Sequence, residues 1–137
     1  MAGVPGRPPR LAMPSVFSDF YRHAWRWRSG RQGSGYDKML LLTARWPLPF
    51  DCYLIRYPHG SAIPPHVDPV GKGRHYRLNL ILKSPQAGGE FVCAAPLFSS
   101  RRIKLFRPDL CEHSVTRVEG GSRYVLSIGW VRDAGNF

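Results

Sequence analysis

Residues 74–82, Arg74-His75-Tyr76-Arg77-Leu78-Asn79-Leu80-Ile81-Leu82, alternate in character from His75 to Leu80. A period of two is the mark of an extended strand, whose successive side chains leave opposite faces of the backbone. Tyr76, Leu78, Leu80 and Leu82 form an apolar side expected to face the core. His75, Arg77, Asn79 and Ile81 form the other side, suited to the wall of a polar cavity. Outward from this strand the pattern repeats in short pieces. Residues 36–45 and 50–57 read as strands divided by Trp46-Pro47-Leu48-Pro49. Gly88-Gly89 opens a strand that runs to Cys93, residues 101–106 follow, and Pro108-Asp109 turns the chain into residues 111–118. A hairpin loop, Glu119-Gly120-Gly121-Ser122, leads into a last strand over 123–131. Short strands punctuated by Gly and Pro predict a mainly β jelly roll, two sheets enclosing a pocket at one mouth.

Upstream of these strands the pattern differs. From Ser15, Phe17, Phe20/Tyr21, Ala24/Trp25 and Arg28 recur at helical spacing, with Ser15 or Ser18 placed to cap. This predicts one short N-terminal helix whose aromatic stripe packs on the body of the domain. Residues 1–14 are rich in Gly, Pro and Arg without periodicity and predict an irregular basic leader. Residues 15–137 then form a single domain. A chain of 137 residues buries roughly two thirds of its unfolded surface, so it can hold a core without staples. Hydrophobic content of 43% against 21% charged residues excludes a disordered basic tail. No run of about 18 apolar residues exists, so a membrane span is not expected.

Charge and cysteine content bound the partners. Lys+Arg number 20 against nine Asp+Glu, for a formal net charge of +11, and 16 of the 20 are Arg. Arginine is the better fork for phosphate and carboxylate, so a polyanionic partner fits; compositional bias of the genome accounts for the arginines equally well. The cysteines, Cys52, Cys93 and Cys111, are odd in number and contain no C-x-x-C pair. They point to a reducing, cytoplasmic setting, with Cys93 and Cys111 as small core residues.

The sharpest chemical signal is Pro65-His66-Val67-Asp68-Pro69, where a strand runs into a Pro/Gly-rich loop. An imidazole and a carboxylate two residues apart on extended backbone project to one side and can share a cation. His113, on a later strand, offers a third ligand. Two His and one carboxylate on one face of an octahedron leave three positions open, the arrangement suited to non-haem Fe(II) and oxygen chemistry. Ten residues on, Arg123 opens the last strand and shares a side with Val125, Ser127 and Gly129. A guanidinium at the end of a face cleared of bulk suits a dicarboxylate, whose far carboxylate must be paired when it leaves water. Ser127 adds a hydroxyl donor on the same face.

These residues carry a family resemblance. The run from Tyr57-Pro58-His59-Gly60-Ser61 through His66-Val67-Asp68, Gly73-Arg74, Asn79-Leu80, Gly88-Gly89-Glu90-Phe91, Leu105-Phe106-Arg107-Pro108 and His113-Ser114-Val115 to Arg123–Trp130 resembles the core of the Fe(II)/2-oxoglutarate-dependent dioxygenases, closest to their prolyl-hydroxylase-like branch. The resemblance implies a double-stranded β-helix, with His66, Asp68 and His113 as iron ligands and as the catalytic centre. It implies 2-oxoglutarate and O2 as co-substrates, with Arg123 pairing the C5 carboxylate and Tyr57 lining the co-substrate pocket. Where relatives often carry a second tyrosine on that carboxylate this sequence has Ile81, and Asn79 or Ser127 can take its part. The implied activity is hydroxylation of a protein or peptide residue, proline as the first choice. Two alternatives stay open: the same chemistry on nucleic acid, held by Arg7, Arg10, Arg22, Arg26, Arg28 and Arg31, and a non-catalytic jelly-roll binding module.

Overall fold

The computed structural model describes residues 24–30, 34–45 and 48–133. Among them the chain forms twelve strands and no helix: β1 Trp27–Ser29, β2 Asp37–Ala44, β3 Phe50–Tyr57, β4 Ile63–His66, β5 Arg74–Lys83, β6 Ala87–Gly88, β7 Phe91–Cys93, β8 Phe98–Ser99, β9 Ile103–Phe106, β10 His113–Val115, β11 Val118–Glu119 and β12 Arg123–Arg132. Seven of them form the large sheet, in the order β1-β2-β3-β12-β5-β9-β8. A three-stranded sheet, β4-β10-β7, and a two-stranded one, β11-β6, complete the fold. The expected jelly roll is present, and its core sits between the large and small sheets. Val125 of β12 and Tyr57 of β3 meet Val115 and Val118 there, with Ile55, Ile63, Ile81 and Phe91 packed around them.

The large sheet is organised by β12, which lies antiparallel between β3 and β5. Its alternation is read directly in burial: Arg123, Val125, Ser127 and Gly129 are buried, while Tyr124, Leu126, Ile128 and Trp130 are half-buried on the other face. The register stacks the inward side chains in rungs. Arg123 stands beside Tyr57, Val125 between Ile55 and Ile81, Ser127 between Tyr53 and Asn79, and Gly129 between Asp51 and Arg77. On β5 the side suited to a polar cavity does line one, while the apolar side expected to face the core turns outward. His75, Arg77 and Asn79 line an interior cavity and Ile81 packs on the core. Tyr76 instead stacks on Trp130 on the outer face, and Leu82 is 56% exposed. The physical reason is that the interior of this roll holds a cavity, so the polar side of the strand belongs inside.

Two further expectations change. The end of the predicted N-terminal helix is strand: Ala24 bridges Leu40, and Trp27, Arg28 and Ser29 pair with Met39, Lys38 and Asp37. Trp25 has a φ of 60°, off the helical path. Residues 15–23 of that helix lie outside the described residues. Strand β4 ends at His66, where the sequence places the end of a strand, and it does so although Pro64 and Pro65 within it supply no ladder donors. Cys93 and Cys111 are joined as a disulfide instead of sitting as free core thiols, and Cys52 is the free cysteine. The pair closes across β7 and the start of β10, where the His113–Cys93 register brings the two segments side by side. The unpaired cysteines were the ground for a reducing compartment, and that ground is removed.

Candidate metal centre and its cavity

The three ligand candidates meet because of strand register. His66 ends β4, His113 opens β10, and the two are direct antiparallel partners. Asp68 follows two residues after His66, its N–H donating to the Pro108 carbonyl at 2.7 Å, which fixes the loop beneath His113. Nε2 of His66 lies 3.6 Å and Nε2 of His113 3.4 Å from Oδ2 of Asp68. One ligand atom from each of the three lies within 4.8 Å of the others. Nδ1 of His66 is 2.9 Å from the Pro64 carbonyl and Nδ1 of His113 is 2.9 Å from the Cys111 carbonyl. A carbonyl only accepts, so each Nδ1 carries the proton and each Nε2 presents its lone pair, the tautomer a metal ligand needs. Phe106 and Phe91 wall the His113 ring at 5.0 and 6.1 Å. A donor set of two imidazole nitrogens and one carboxylate on one side of a cavity fits a divalent transition metal with open positions.

The cavity that holds the triad is about 450 Å³ and is walled on its far side by the inward rungs of the large sheet. At one end of those rungs stands Arg123, 2% exposed. Its Nη2 is buried without a hydrogen-bond partner. The guanidinium carbon lies 4.9 Å from the centre of the Tyr57 ring. Tyr57 lines the cavity, whereas Arg123 does not line its open part. Burial pulls the Arg123 pKa down, with Tyr57 resisting the shift. Burial pushes the Tyr57 phenol up to about 12, so it is a neutral donor at any working pH. No acidic side chain is paired with Arg123 among the described residues. A buried cation with an unfilled donor is the form a site takes when its anion is a ligand.

Midway along the wall a polar chain is fully connected. Asp51 accepts from Arg77 Nη2 at 3.0 and 3.3 Å. Arg77 Nη1 donates to Ser127 Oγ at 2.9 Å, and Ser127 Oγ donates to Asn79 Oδ1 at 2.7 Å. Gly129 makes room for this: a Cβ there would collide with the Arg77 guanidinium. With its oxygen engaged, the Asn79 carboxamide leaves its NH2 group for the cavity that the residue lines. His75, beyond Arg77, has its Nδ1 buried and unpartnered. Burial and the nearby Arg77 charge lower its pKa, and it is neutral at pH 7.

The sequence expectations therefore meet at one place. His66, Asp68 and His113 converge; Tyr57, Asn79 and Ser127 stand on the same cavity wall; Arg123 adjoins it through Tyr57. His59 lies apart, its Nδ1 accepting from the Gly120 N–H at 3.2 Å. Sequence reasoning missed Tyr53, Tyr36 and Lys38, which share the wall, and Asp51, which holds Arg77 in it. A signal existed in residues 51–57, where Asp51, Tyr53, Ile55 and Tyr57 alternate with Cys52, Leu54 and Arg56.

Among solved structures the chain is similar to a Pseudomonas putida prolyl-4-hydroxylase, with a TM-score of 0.60 and 17% identity over 88% of this chain and 85% of that one. It is similar to the cupin domain of Schizosaccharomyces pombe Cnp3, with a TM-score of 0.56 and 12% identity over 78% and 69%. A third likeness is the viral collagen prolyl hydroxylase from Paramecium Bursaria Chlorella virus-1, solved as its 2OG complex, with a TM-score of 0.55 and 15% identity over 75% and 83%. No protein-family model matches the chain, and no curated protein matches it. At these identities the likeness is one of fold, and it meets the resemblance to the prolyl-hydroxylase-like branch at that level. The chain is a double-stranded β-helix of the architecture that cupins and prolyl hydroxylases share.

Proposed function

We propose that this protein is an Fe(II)- and 2-oxoglutarate-dependent dioxygenase that hydroxylates a residue of a protein or peptide, with proline as the first substrate to try. One observation carries the reading: the buried, unpartnered Nη2 of Arg123 adjoins, through Tyr57, the cavity that also holds the His66, Asp68 and His113 triad. A structural metal site needs no such cation, and a cupin binding module needs no open coordination positions. Fe(II), when bound, supplies the redox chemistry by which O2 and 2-oxoglutarate hydroxylate a C–H bond. His66 and His113 present Nε2 to it, and Asp68 neutralises one of its charges. Arg123 takes the far carboxylate of 2-oxoglutarate, and Tyr57 adds a neutral hydroxyl donor. The Asn79 NH2, set by Ser127 and Arg77, supplies the donor that Ile81 cannot. Phe91, Phe106 and Ile55 keep the wall dry around the reacting groups. The likeness to two prolyl hydroxylases supports the choice of a peptide substrate.

The test is anaerobic titration of Fe(II) and 2-oxoglutarate into the purified protein, followed by succinate measurement in air with proline-containing peptides. His66→Ala and Asp68→Ala should lose metal binding. Absence of both metal-dependent 2-oxoglutarate binding and succinate formation refutes the proposal.

A further inference from the structure

We propose that Arg28 and Lys38 form an anion-reading subsite at the mouth of the cavity, and that the substrate is an extended peptide with an acidic side chain near the oxidised residue. This deepens the oxygenase reading above and rests on it. Arg28 of β1 and Lys38 of β2 are direct antiparallel partners. Such partners share a face of the sheet, and two like charges placed opposite each other repel. Lys38 lines the cavity, and the exposed Arg28 beside it is close enough to Tyr53, another lining residue, to act on its phenol. Lys38 Nζ lies 5.2 Å from the centre of the Tyr53 ring, and neither cation is in an ion pair among the described residues. The one acidic neighbour on β2, Asp37, is taken by Arg56 at 2.9 Å.

Charge bookkeeping separates this pair from the rest of the site. Arg77 is matched by Asp51. In the proposed reaction Asp68 and the near carboxylate of 2-oxoglutarate balance the divalent metal, and the far carboxylate balances Arg123. Arg28 and Lys38 are then the positive charges at the cavity that still lack an anion, and the molecule that enters last is the substrate. Two adjacent guanidinium and ammonium groups flanking a tyrosine ring fit a carboxylate carried on a short apolar stem.

The surrounding edge favours a peptide over a nucleic acid. Among the described strands β1 has β2 on one side and no neighbour on the other. Its free N–H and C=O groups can take up extended peptide backbone, and a phosphodiester chain has no such pattern of groups to return. Trp25, 68% exposed just before β1, adds an apolar contact beside that edge.

The experiment uses the full chain loaded with Mn(II) and 2-oxoglutarate and reads fluorescence anisotropy. The probes are a labelled proline peptide flanked by glutamates, the same peptide with glutamines, and an oligothymidylate. The glutamate peptide should bind more tightly than its glutamine counterpart, and Arg28→Gln/Lys38→Gln should weaken it about tenfold while leaving the glutamine peptide unchanged. Arg28→Glu/Lys38→Glu should turn the preference towards a lysine-flanked peptide, a gain that misfolding cannot produce. Equal binding of the glutamate and glutamine peptides overturns the proposal, as does a preference that survives the double variants. Oligothymidylate that outcompetes the glutamate peptide and depends on Arg28 and Lys38 overturns it in favour of nucleic acid. If metal-dependent 2-oxoglutarate binding fails but the charge preference persists, the oxygenase reading falls and the subsite stands.

Discussion

Replacing Arg123 by Met separates a ligand-binding role from a structural one. The substitution keeps the apolar stem, which packs where a Cβ added at Gly89 would lie 3.3 Å from the Arg123 Cδ, and removes the guanidinium. Without ligand the guanidinium is buried, its Nη2 makes no hydrogen bond, and the interactions in its favour come from Tyr57, through its ring at 4.9 Å and its hydroxyl. Losing that contact costs about 1 kcal/mol, and relieving an unpaired buried charge offsets a similar amount. The metal-loaded protein without 2-oxoglutarate should therefore melt within about 1 kcal/mol of the parent in either direction. With co-substrate the two proteins part. Removing one member of a buried, hydrogen-bonded charge pair costs about 2–5 kcal/mol, so a hundredfold rise in Kd is a middle value. At a 2-oxoglutarate concentration about 100 times the parent Kd, the parent gains about 2.7 kcal/mol and the variant about 0.4 kcal/mol. For a domain of this size that is a rise in Tm of roughly 10 °C against 1–2 °C. Thermal unfolding followed by circular dichroism, with Mn(II) present and 2-oxoglutarate added or withheld, reads both quantities. A variant that keeps the full ligand-induced shift refutes the assignment of Arg123. A variant that loses more than about 2 kcal/mol before ligand is added shows that the cation is structural.

Thiol titration in denaturant should find one reactive cysteine, Cys52, and reduction should cost about 3 kcal/mol, since the Cys93–Cys111 bond spans a sequence separation of 18; three reactive thiols in the native preparation would remove the disulfide. Burial acts to raise the Asp109 pKa, but the hydrogen bonds and charge of Arg107 outweigh it and hold the carboxyl below its usual range. A depressed folded pKa contributes stability above the unfolded value of about 4 that is lost as pH falls towards the folded one, so Asp109→Asn should cost about 1–3 kcal/mol near pH 7 and progressively less below pH 4 in urea unfolding; a gap independent of pH contradicts this. Gly129→Ala should cost about 1–3 kcal/mol by driving out the Arg77 guanidinium, and Arg77→Ala should absorb part of that loss, with a coupling of at least about 0.5 kcal/mol in a double-mutant cycle. Strict additivity would show that the two side chains do not compete for the space.

What the sequence made legible followed from local rules. β3, β5 and β12 were found because a buried strand alternates, and the triad because His66 and Asp68 are two apart on extended backbone before a Pro-rich loop. What stayed hidden depends on partners distant in the chain. The end of β4 at His66 was legible, but its partner was not: the register with β10 carries the pairing past Pro64-Pro65. Ala24, Trp25 and Arg28 have helical spacing, yet the free edge of β2 offers backbone partners that claim residues 27–29. Cys93 and Cys111 could be paired only by knowing that His113 lies opposite Cys93. Tyr76 and Leu82 were expected in the core because composition assumes a dry interior, and this interior is a cavity lined by the opposite side of β5.

That cavity also explains why so much polarity is tolerated inside a small β-roll. A buried polar group costs free energy unless it is hydrogen-bonded, and a half-satisfied network is worse than an apolar core. The Asp51, Arg77, Ser127 and Asn79 chain meets this condition, each link donating to or accepting from the next, in space that Gly129 leaves open. Two buried side-chain nitrogens among the described residues break the rule: Arg123 Nη2 and His75 Nδ1. They stand at opposite ends of the β12 register, Arg123 opening the strand and His75 paired with Val131 near its close. The stretch between them is the wall facing the His66, Asp68 and His113 triad. Interior polar groups that the protein completes by itself lie along the middle of this wall, and those it leaves incomplete lie at its two ends. A ligand that supplies acceptors at both ends, with co-substrate towards Arg123 and substrate towards His75, completes the set. Loading with metal and 2-oxoglutarate alone should then protect the Arg123 end from hydrogen exchange and leave the backbone around His75 exchanging as before.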